Sequence, residues 1–461
     1  MKRAIVVALT LGLLVLAVSF ALVNAQGPGG ATWVSSINIL NLDEAEDASI
    51  VLVFYGTEAD PVSSYGLDPL PPLQSVEVYL PSLPNAVLPD GRYSVVIYSD
   101  KSVAAVGTLG GDIGAVHFVG SYSSVAADDA TTPVYIPALL RNYYNWTSFL
   151  TVQNAGTSSA NITVDYYAEG NPTSQHQDSA TGVPPGVSVD FNIAGASYAT
   201  DLGSTFKGSA VVSSTQPLAV IDNQTTPSGQ TQTYNGLAAG ARTVYVPDLY
   251  NGYYSWVSSI NIQNLGTVPT TVTVNYSDGV TNYCNNLVAG GSCLLYQPTE
   301  GHASGTRFSA TITSDTEDIV AIVNQAVNAR NQAQTYLGMA GGSQRALMPK
   351  IMNAYYGWVT SFSVQNIGTG PTDITVTYSP KGAYGGTSYT IYNLAAGGSY
   401  QAYQGNDINI PSGQQLPSSY RGSVVVTSSA EDIIATVNET HLSPGSGDWS
   451  ASTNAVNMPT P

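Results

Sequence analysis

Charged side chains are scarce in this sequence of 461 residues: they make up 10% of it, against roughly 25% in an ordinary soluble domain. Basic residues are the scarcer kind, since 13 Lys and Arg face 31 Asp and Glu for a formal charge of −18. So few cations exclude a surface built to neutralise phosphates, and nucleic acid with it as a partner. Only four His are present, and His117, His176, His302 and His441 are scattered. The sequence contains no His-Glu-x-x-His, Gly-x-Ser-x-Gly or Gly-x-x-x-x-Gly-Lys pattern, so no catalytic or phosphate-binding centre is recognisable and the chain reads as a non-enzyme needing no cofactor. Phe is rare, at 8 residues against 30 Tyr, while apolar content is an ordinary 43%. The surface must therefore be polar and largely uncharged, and its rings carry hydrogen-bonding tips.

One apolar run stands out, at the start. Met1, Lys2 and Arg3 precede the apolar stretch Ala4 to Val23, and Val23-Asn24-Ala25 has the small residues of a cleavage site. Residues 1–25 read as a secretory signal peptide, removed after Ala25. Loss of Lys2 and Arg3 leaves 11 basic residues and a mature charge of −20. No later segment is long and apolar enough to span a membrane, so the mature chain is expected outside the cell, secreted or held at the cell surface by protein contacts.

The rest is repetitive. Trp33-Val34-Ser35-Ser36-Ile37-Asn38-Ile39-Leu40-Asn41 recurs as Trp146 to Asn154, Trp256 to Asn264 and Trp358 to Asn366, at spacings of 113, 110 and 102 residues. About 100 residues per copy is the size of a domain, not of a solenoid repeat. Inside a copy the period is two: Trp256, Ile260 and Ile262 alternate with Ser259, Asn261 and Gln263, and Val272, Val274 and Tyr276 with Thr271, Thr273 and Asn275. Such alternation marks half-buried strands. With Gly-rich turns every 8 to 12 residues or so, it predicts an all-β chain of four tandem immunoglobulin-like β-sandwich domains, each of about seven strands. The expected domains are 26–140, 141–250, 251–352 and 353–461.

In copies two to four the Trp strand ends in Gln-Asn-x-Gly-Thr and leads into a Thr/Val strand closing on Tyr. This stretch resembles the Asn-x-Gly-Thr turn region of bacterial extracellular immunoglobulin-like modules, including the CARDB type, over about 30 residues of each copy. Copy one departs from it, reading Asn41-Leu42-Asp43-Glu44. The resemblance implies a spacer or adhesive module and brings no catalytic residues.

A second motif, Val134-Tyr135-Ile136-Pro137, Val244-Tyr245-Val246-Pro247 and Ala346-Leu347-Met348-Pro349, sets Pro nine residues before each later Trp. Val456-Asn457-Met458-Pro459 repeats it at the end of the sequence, whereas nine residues before Trp33 is Asn24. The simpler reading lets each such strand close the domain before it, ended by a Pro that has no N–H to donate. The sharper reading gives it to the following domain, which makes Val456 and Met458 a spare donor strand for head-to-tail assembly. The eight residues between Pro and Trp then read as short, stiff joints, and the whole as a rod.

Each joint carries an aromatic cluster: Tyr143, Tyr144 and Trp146; Tyr253, Tyr254 and Trp256; Tyr355, Tyr356 and Trp358. Packing between consecutive domains explains them best, because nothing similar precedes Trp33; platforms for sugar rings or a neighbouring subunit are the alternative. Cys284 and Cys293, the two cysteines, should form a disulfide across a hairpin in an exported chain. Calcium between acidic turns such as Asp43-Glu44, Asp128-Asp129, Glu317-Asp318 and Glu431-Asp432 is weighed against solvated charge, which the lack of Asp-x-Asp ligand spacing favours. The expected function is a secreted or cell-surface structural and adhesive protein that self-associates into a layer or filament or binds other surface proteins. The alternative is a polysaccharide-binding surface protein that uses the Tyr/Trp platforms.

Overall fold

A computed structural model describes residues 17–23, 25–26, 32–379, 387–405 and 409–458, the first two stretches and residue 328 by backbone alone. Most of the expected signal peptide and Pro459 lie outside the described residues. The chain is all-β, with 61% strand and 4% helix.

The second repeat shows the unit most simply. In its strand Ala160–Ala168, Ile162, Val164 and Tyr166 are buried while Thr163 and Asp165 between them are less so, which leaves one face to cover; Leu218–Thr225 and Thr231–Asn235 are buried on both faces. Val134–Arg141, Phe206–Ser214, Ala160–Ala168 and His176–Val183 form one four-stranded antiparallel sheet in that spatial order. Ser188–Asn192, Thr147–Asn154, Leu218–Thr225 and Thr231–Asn235 form the other. The two sheets enclose one core, around Val152, Val164, Val212 and Val220. The same strand order recurs in the other repeats, each around its own core.

The sheet registers settle which repeat owns the strand that ends in Pro. Val134–Arg141 pairs with Phe206–Ser214, Thr243–Tyr253 with Thr306–Ser314, and Arg345–Asn353 with Tyr420–Ser428. Each therefore opens the repeat that follows, and the boundaries expected at 140, 250 and 352 move upstream of these strands. Nor does Pro end the strand. Pairing resumes beyond a register shift at Ile136/Leu139, Val246/Leu249 and Met348/Ile351, because a bulge accepts a residue without an N–H. The supposed joints are thus strand and hairpin within one repeat, and the links between repeats are 124–133, 236–242 and 338–344.

Two further expectations are corrected. Val456 and Met458 are not spare: Val456–Met458 pairs with Arg345–Asn353 of the same repeat, where Leu237 and Met339 bridge to Tyr135 and Tyr245 in the two repeats before it. Copy one does possess an opening strand. Ala17–Val23 runs antiparallel along Gly91–Ser99, so the apolar stretch that reads as an export signal occupies the place of Val134–Arg141.

The invariant Asn of the Trp motif is a structural pin. Asn264 Nδ2 donates to the carbonyls of Val268 and Leu287, at 2.9 Å each, and its Oδ1 accepts the Gly266 N–H at 2.8 Å. Asn154 and Asn366 repeat all three bonds, and Asn41 does too, with the Asp43 N–H replacing that of Gly. Asn264→Ala would strand two carbonyls and one N–H in a buried turn, and should cost about 2 to 3 kcal/mol in a denaturant titration.

Contacts between repeats close on themselves, so the expected rod gives way to a ring. The Ser94 hydroxyl donates to the Gly186 carbonyl of the second repeat at 2.6 Å, Ser209 to Gly290 of the third at 2.8 Å, and Ser309 to Gly397 of the fourth at 2.7 Å. Ser423 then returns to Leu73 of the first at 3.0 Å. The four acceptors all have positive φ, from 54° to 77°, a conformation natural to Gly and borne by Leu73 in the first repeat. A contact repeated in cyclic order is a rotation that closes. The last strands of the repeats, Val116–Ser123, Thr231–Asn235, Gln332–Leu337 and Ser450–Asn454, pack round the centre. There the Asn235 carboxamide clasps both backbone groups of Ser123, and that of Asn454 both groups of Leu337.

Candidate functional site

The Tyr pairs sit at the tips of two-residue hairpins. Tyr143 and Trp146 exchange backbone hydrogen bonds of 3.2 and 2.9 Å, and Tyr355 and Trp358 bonds of 3.0 and 2.9 Å; Tyr253 pairs with Trp256 in the same way. Both central residues have positive φ: 48° and 69° at Tyr144 and Asn145, 47° and 70° at Tyr254 and Ser255, 47° and 83° at Tyr356 and Gly357. That is the type I′ arrangement, whose twist suits paired strands and whose usual residues are Asn and Gly. A Tyr in the left-handed region is an outlier, and it occurs at all three tips.

Packing between domains does not account for these rings. Tyr144, Tyr254 and Tyr356 are 81%, 76% and 83% exposed. Each meets its neighbour edge to face, at centroid distances of 4.8, 4.7 and 4.8 Å. The inner Tyr is the support: Lys207 Nζ lies 5.6 Å from the Tyr143 ring, Arg421 Cζ 5.9 Å from Tyr355, and Tyr250 stacks on Tyr253 at 5.8 Å. Burial raises the Tyr355 pKa, and the nearby Glu77 charge adds to the shift. Because the repeats are related round the ring, the three tips occupy equivalent places on it.

One tip borders a cleft. Tyr143, Tyr144 and Trp146 of the second repeat face Tyr296 and Asn261 of the third across a space of about 720 Å³.

The other residues singled out from sequence have local partners. Cys284 and Cys293 form a disulfide with a Cα separation of 6.3 Å. It joins Thr281–Leu287 to Ser292–Tyr296, which belong to ladders on opposite sides of the core, so it staples the two layers of the third repeat. Reduction of this short loop should lower stability by about 2.5 kcal/mol on the chain-entropy estimate, read as a drop in melting temperature with reductant that a Cys284→Ser, Cys293→Ser variant does not show. Glu44 pairs with Arg345 across the ring closure and Glu46 with Lys101. Glu317 and Glu431 accept the N–H of Thr267 and Thr369 at 3.2 and 3.1 Å. Among the described residues no three His, Cys, Asp or Glu side chains gather as a metal site.

Sequence reasoning missed a relation between two His. His176 and His302 share no position in the repeat, yet both pack on the equivalent residues Tyr166 and Tyr276, at 5.6 and 4.4 Å. His176 Nδ1 contacts Asp201 at 2.6 Å and His302 Nδ1 contacts Asp278 at 2.8 Å. Tyr166 and Tyr198 both donate to Asp178, at 2.7 and 2.6 Å, and burial raises both phenol pKa values.

The chain matches no protein-family model and no curated protein sequence. Among solved structures it is similar to one described as Thermotoga maritima 1070, at 22% identity over 22% of this chain and 93% of that one, with a TM-score of 0.19. A serine-rich repeat protein from Streptococcus agalactiae is similar at 10% identity, over 53% of this chain and 86% of that one, with a TM-score of 0.13. Scores this low assign no role.

Proposed function

We propose that this chain is a secreted or cell-surface structural and adhesive protein, in which four immunoglobulin-like sandwiches closed into a ring present aromatic tips to surface proteins or to further copies of itself. The observation that carries this reading is the repeated Tyr at positive φ. Asn or Gly would make the same turn at lower cost, so a bulky exposed ring kept at Tyr144, Tyr254 and Tyr356 is best accounted for by what it touches outside the chain. Export adds a second means of association. Cleavage after Ala25 would remove Ala17–Val23 and leave the Gly91–Ser99 edge open to a strand from another molecule.

The test is the triple variant Tyr144→Asn, Tyr254→Asn, Tyr356→Asn. Its melting temperature should be unchanged or higher by a few degrees, since the turn loses strain. Assemblies seen by electron microscopy of the purified protein should disappear, together with attachment to the cell envelope. If the variant assembles and attaches like the parent, the tips are not adhesive. A second reading, carbohydrate binding, is favoured by the same exposed rings where they border a cleft between repeats.

A further inference from the structure

The clefts between successive repeats are not equivalent, and the sheet registers show why. The residue paired with the fifth position after each Trp faces the preceding repeat: Glu77 opposite Asn38, Asp190 opposite Thr151, Leu294 opposite Asn261 and Gln401 opposite Ser363. Three of these four reach across the gap. Asp190 pairs with Arg92, Glu77 Oε2 lies 3.6 Å from Arg421 Nε, and Gln401 Nε2 donates to the Tyr250 hydroxyl at 3.0 Å. Leu294 has no polar group with which to do so. On the opposite wall, where the third repeat carries Asp248 and Tyr250, the second carries Ala138 and Leu140. At the junction of the third and fourth repeats that Asp and Tyr fill the gap, and Asn438 Nδ2 donates to Asp248 Oδ2 at 3.0 Å. Between the second and third repeats the same space is open, at about 720 Å³.

We propose that this open cleft is a binding site for a neutral oligosaccharide, a proposal that rests on the carbohydrate reading above. Its volume lies within the roughly 300–1,000 Å³ of small-molecule sites. Its walls combine planar rings, Tyr144, Trp146 and Tyr296, with the carboxamides of Gln232, Asn261 and Asn324. Rings stack on the apolar faces of pyranoses, and carboxamides donate to and accept from hydroxyls. None of the residues lining it is charged, in a chain whose net charge is −18, so the cleft offers nothing to a uronate, a sulfate or a cation.

Calorimetric titration of the full chain with cellotriose, maltotriose, xylotriose and chitotriose, and with trigalacturonate as the charged control, tests the proposal. One of the neutral sugars should bind one site per chain and trigalacturonate none. Tyr144→Ala and Tyr296→Ala, both at exposed rings, should each weaken that binding at least tenfold. Leu140→Tyr with Leu294→Gln, which imports the filling of the next junction, should abolish it without lowering the melting temperature. Binding that these variants leave intact but Tyr254→Ala or Tyr356→Ala removes would overturn the cleft and keep the carbohydrate reading. Failure of all four neutral sugars at millimolar concentration would sink both, and neither result bears on assembly seen by microscopy.

Discussion

Asp448→Ala should destabilise the ring more than any other single truncation at its centre, by about 4 kcal/mol. The side chain is wholly buried and its two oxygens collect groups from three repeats. Oδ2 accepts the N–H of Thr231 in the second repeat at 2.8 Å and that of Ala333 in the third at 2.9 Å. Oδ1 accepts the N–H and the hydroxyl of Ser450 at 3.0 and 2.7 Å. Its own N–H donates to the His117 carbonyl of the first repeat at 2.8 Å. Burial drives its pKa up, and the converging donors, which favour the anion, oppose the shift. Truncation to Ala removes both acceptor oxygens at once and leaves the three backbone N–H groups without one, while the Ser450 hydroxyl keeps the Ala333 carbonyl at 3.1 Å. Asp448→Asn keeps the shape and one acceptor oxygen, so its loss should be intermediate. Denaturant midpoints measure the cost, and hydrogen exchange at the Thr231 and Ala333 amides locates it; a loss below about 1 kcal/mol with both amides still protected would show that the carboxylate does not hold the ring.

Asp222 should make the protein less stable as pH rises from about 4 to about 7. Burial pushes its pKa from 3.8 up to about 7, opposed by hydrogen bonds from Gln224 Nε2 at 2.8 Å and Ser148 Oγ at 3.1 Å. Between those two values the native state holds a proton that the unfolded chain has released, so the stability curve slopes downward with pH. The penalty is absent below pH 3.8 and complete above about 7, where it amounts to roughly 4 kcal/mol at 1.36 kcal/mol per unit. In Asp222→Asn the side chain cannot ionise. The stability of the parent minus that of the variant should therefore fall by about that much between pH 4 and pH 8, and a flat difference would show that Asp222 is ionised throughout.

Much of the architecture could be read from residues close together in the chain. Strand faces follow from alternation such as Val272, Val274 and Tyr276 against Thr271, Thr273 and Asn275, because side chains point to opposite sides of a strand whatever its neighbours are. The repeat itself, and Asn41, Asn154, Asn264 and Asn366 as its fixed point, follow from self-similarity, and the bonds these Asn make lie within one turn and one sheet edge. The disulfide follows from there being two cysteines. The Tyr pairs were misplaced because Tyr143-Tyr144-Asn145-Trp146 lacks the Asn-Gly signal of a type I′ turn, so a hairpin tip passed for a joint between domains.

What lay beyond the sequence was ownership and closure. A period of two says which way a side chain points and is silent on which ladder the strand joins, so Val134–Arg141 could be assigned to either neighbour until its pairing with Phe206–Ser214 was seen. The ring depends on partners such as Asp448 and Thr231, 217 residues apart, and Arg421 and Asn38, 383 apart. No local preference encodes such contacts; they form only once every repeat has folded and docked on the next. The open cleft has the same origin, since Ala138, Leu140 and Leu294 are unremarkable apolar residues until the register sets them where Asp248, Tyr250 and Gln401 fill the following junction. Composition and periodicity thus determined a charge-poor, acidic, all-β chain repeated four times, and tertiary docking alone decided that the copies meet as a ring with an open cleft between the second and the third.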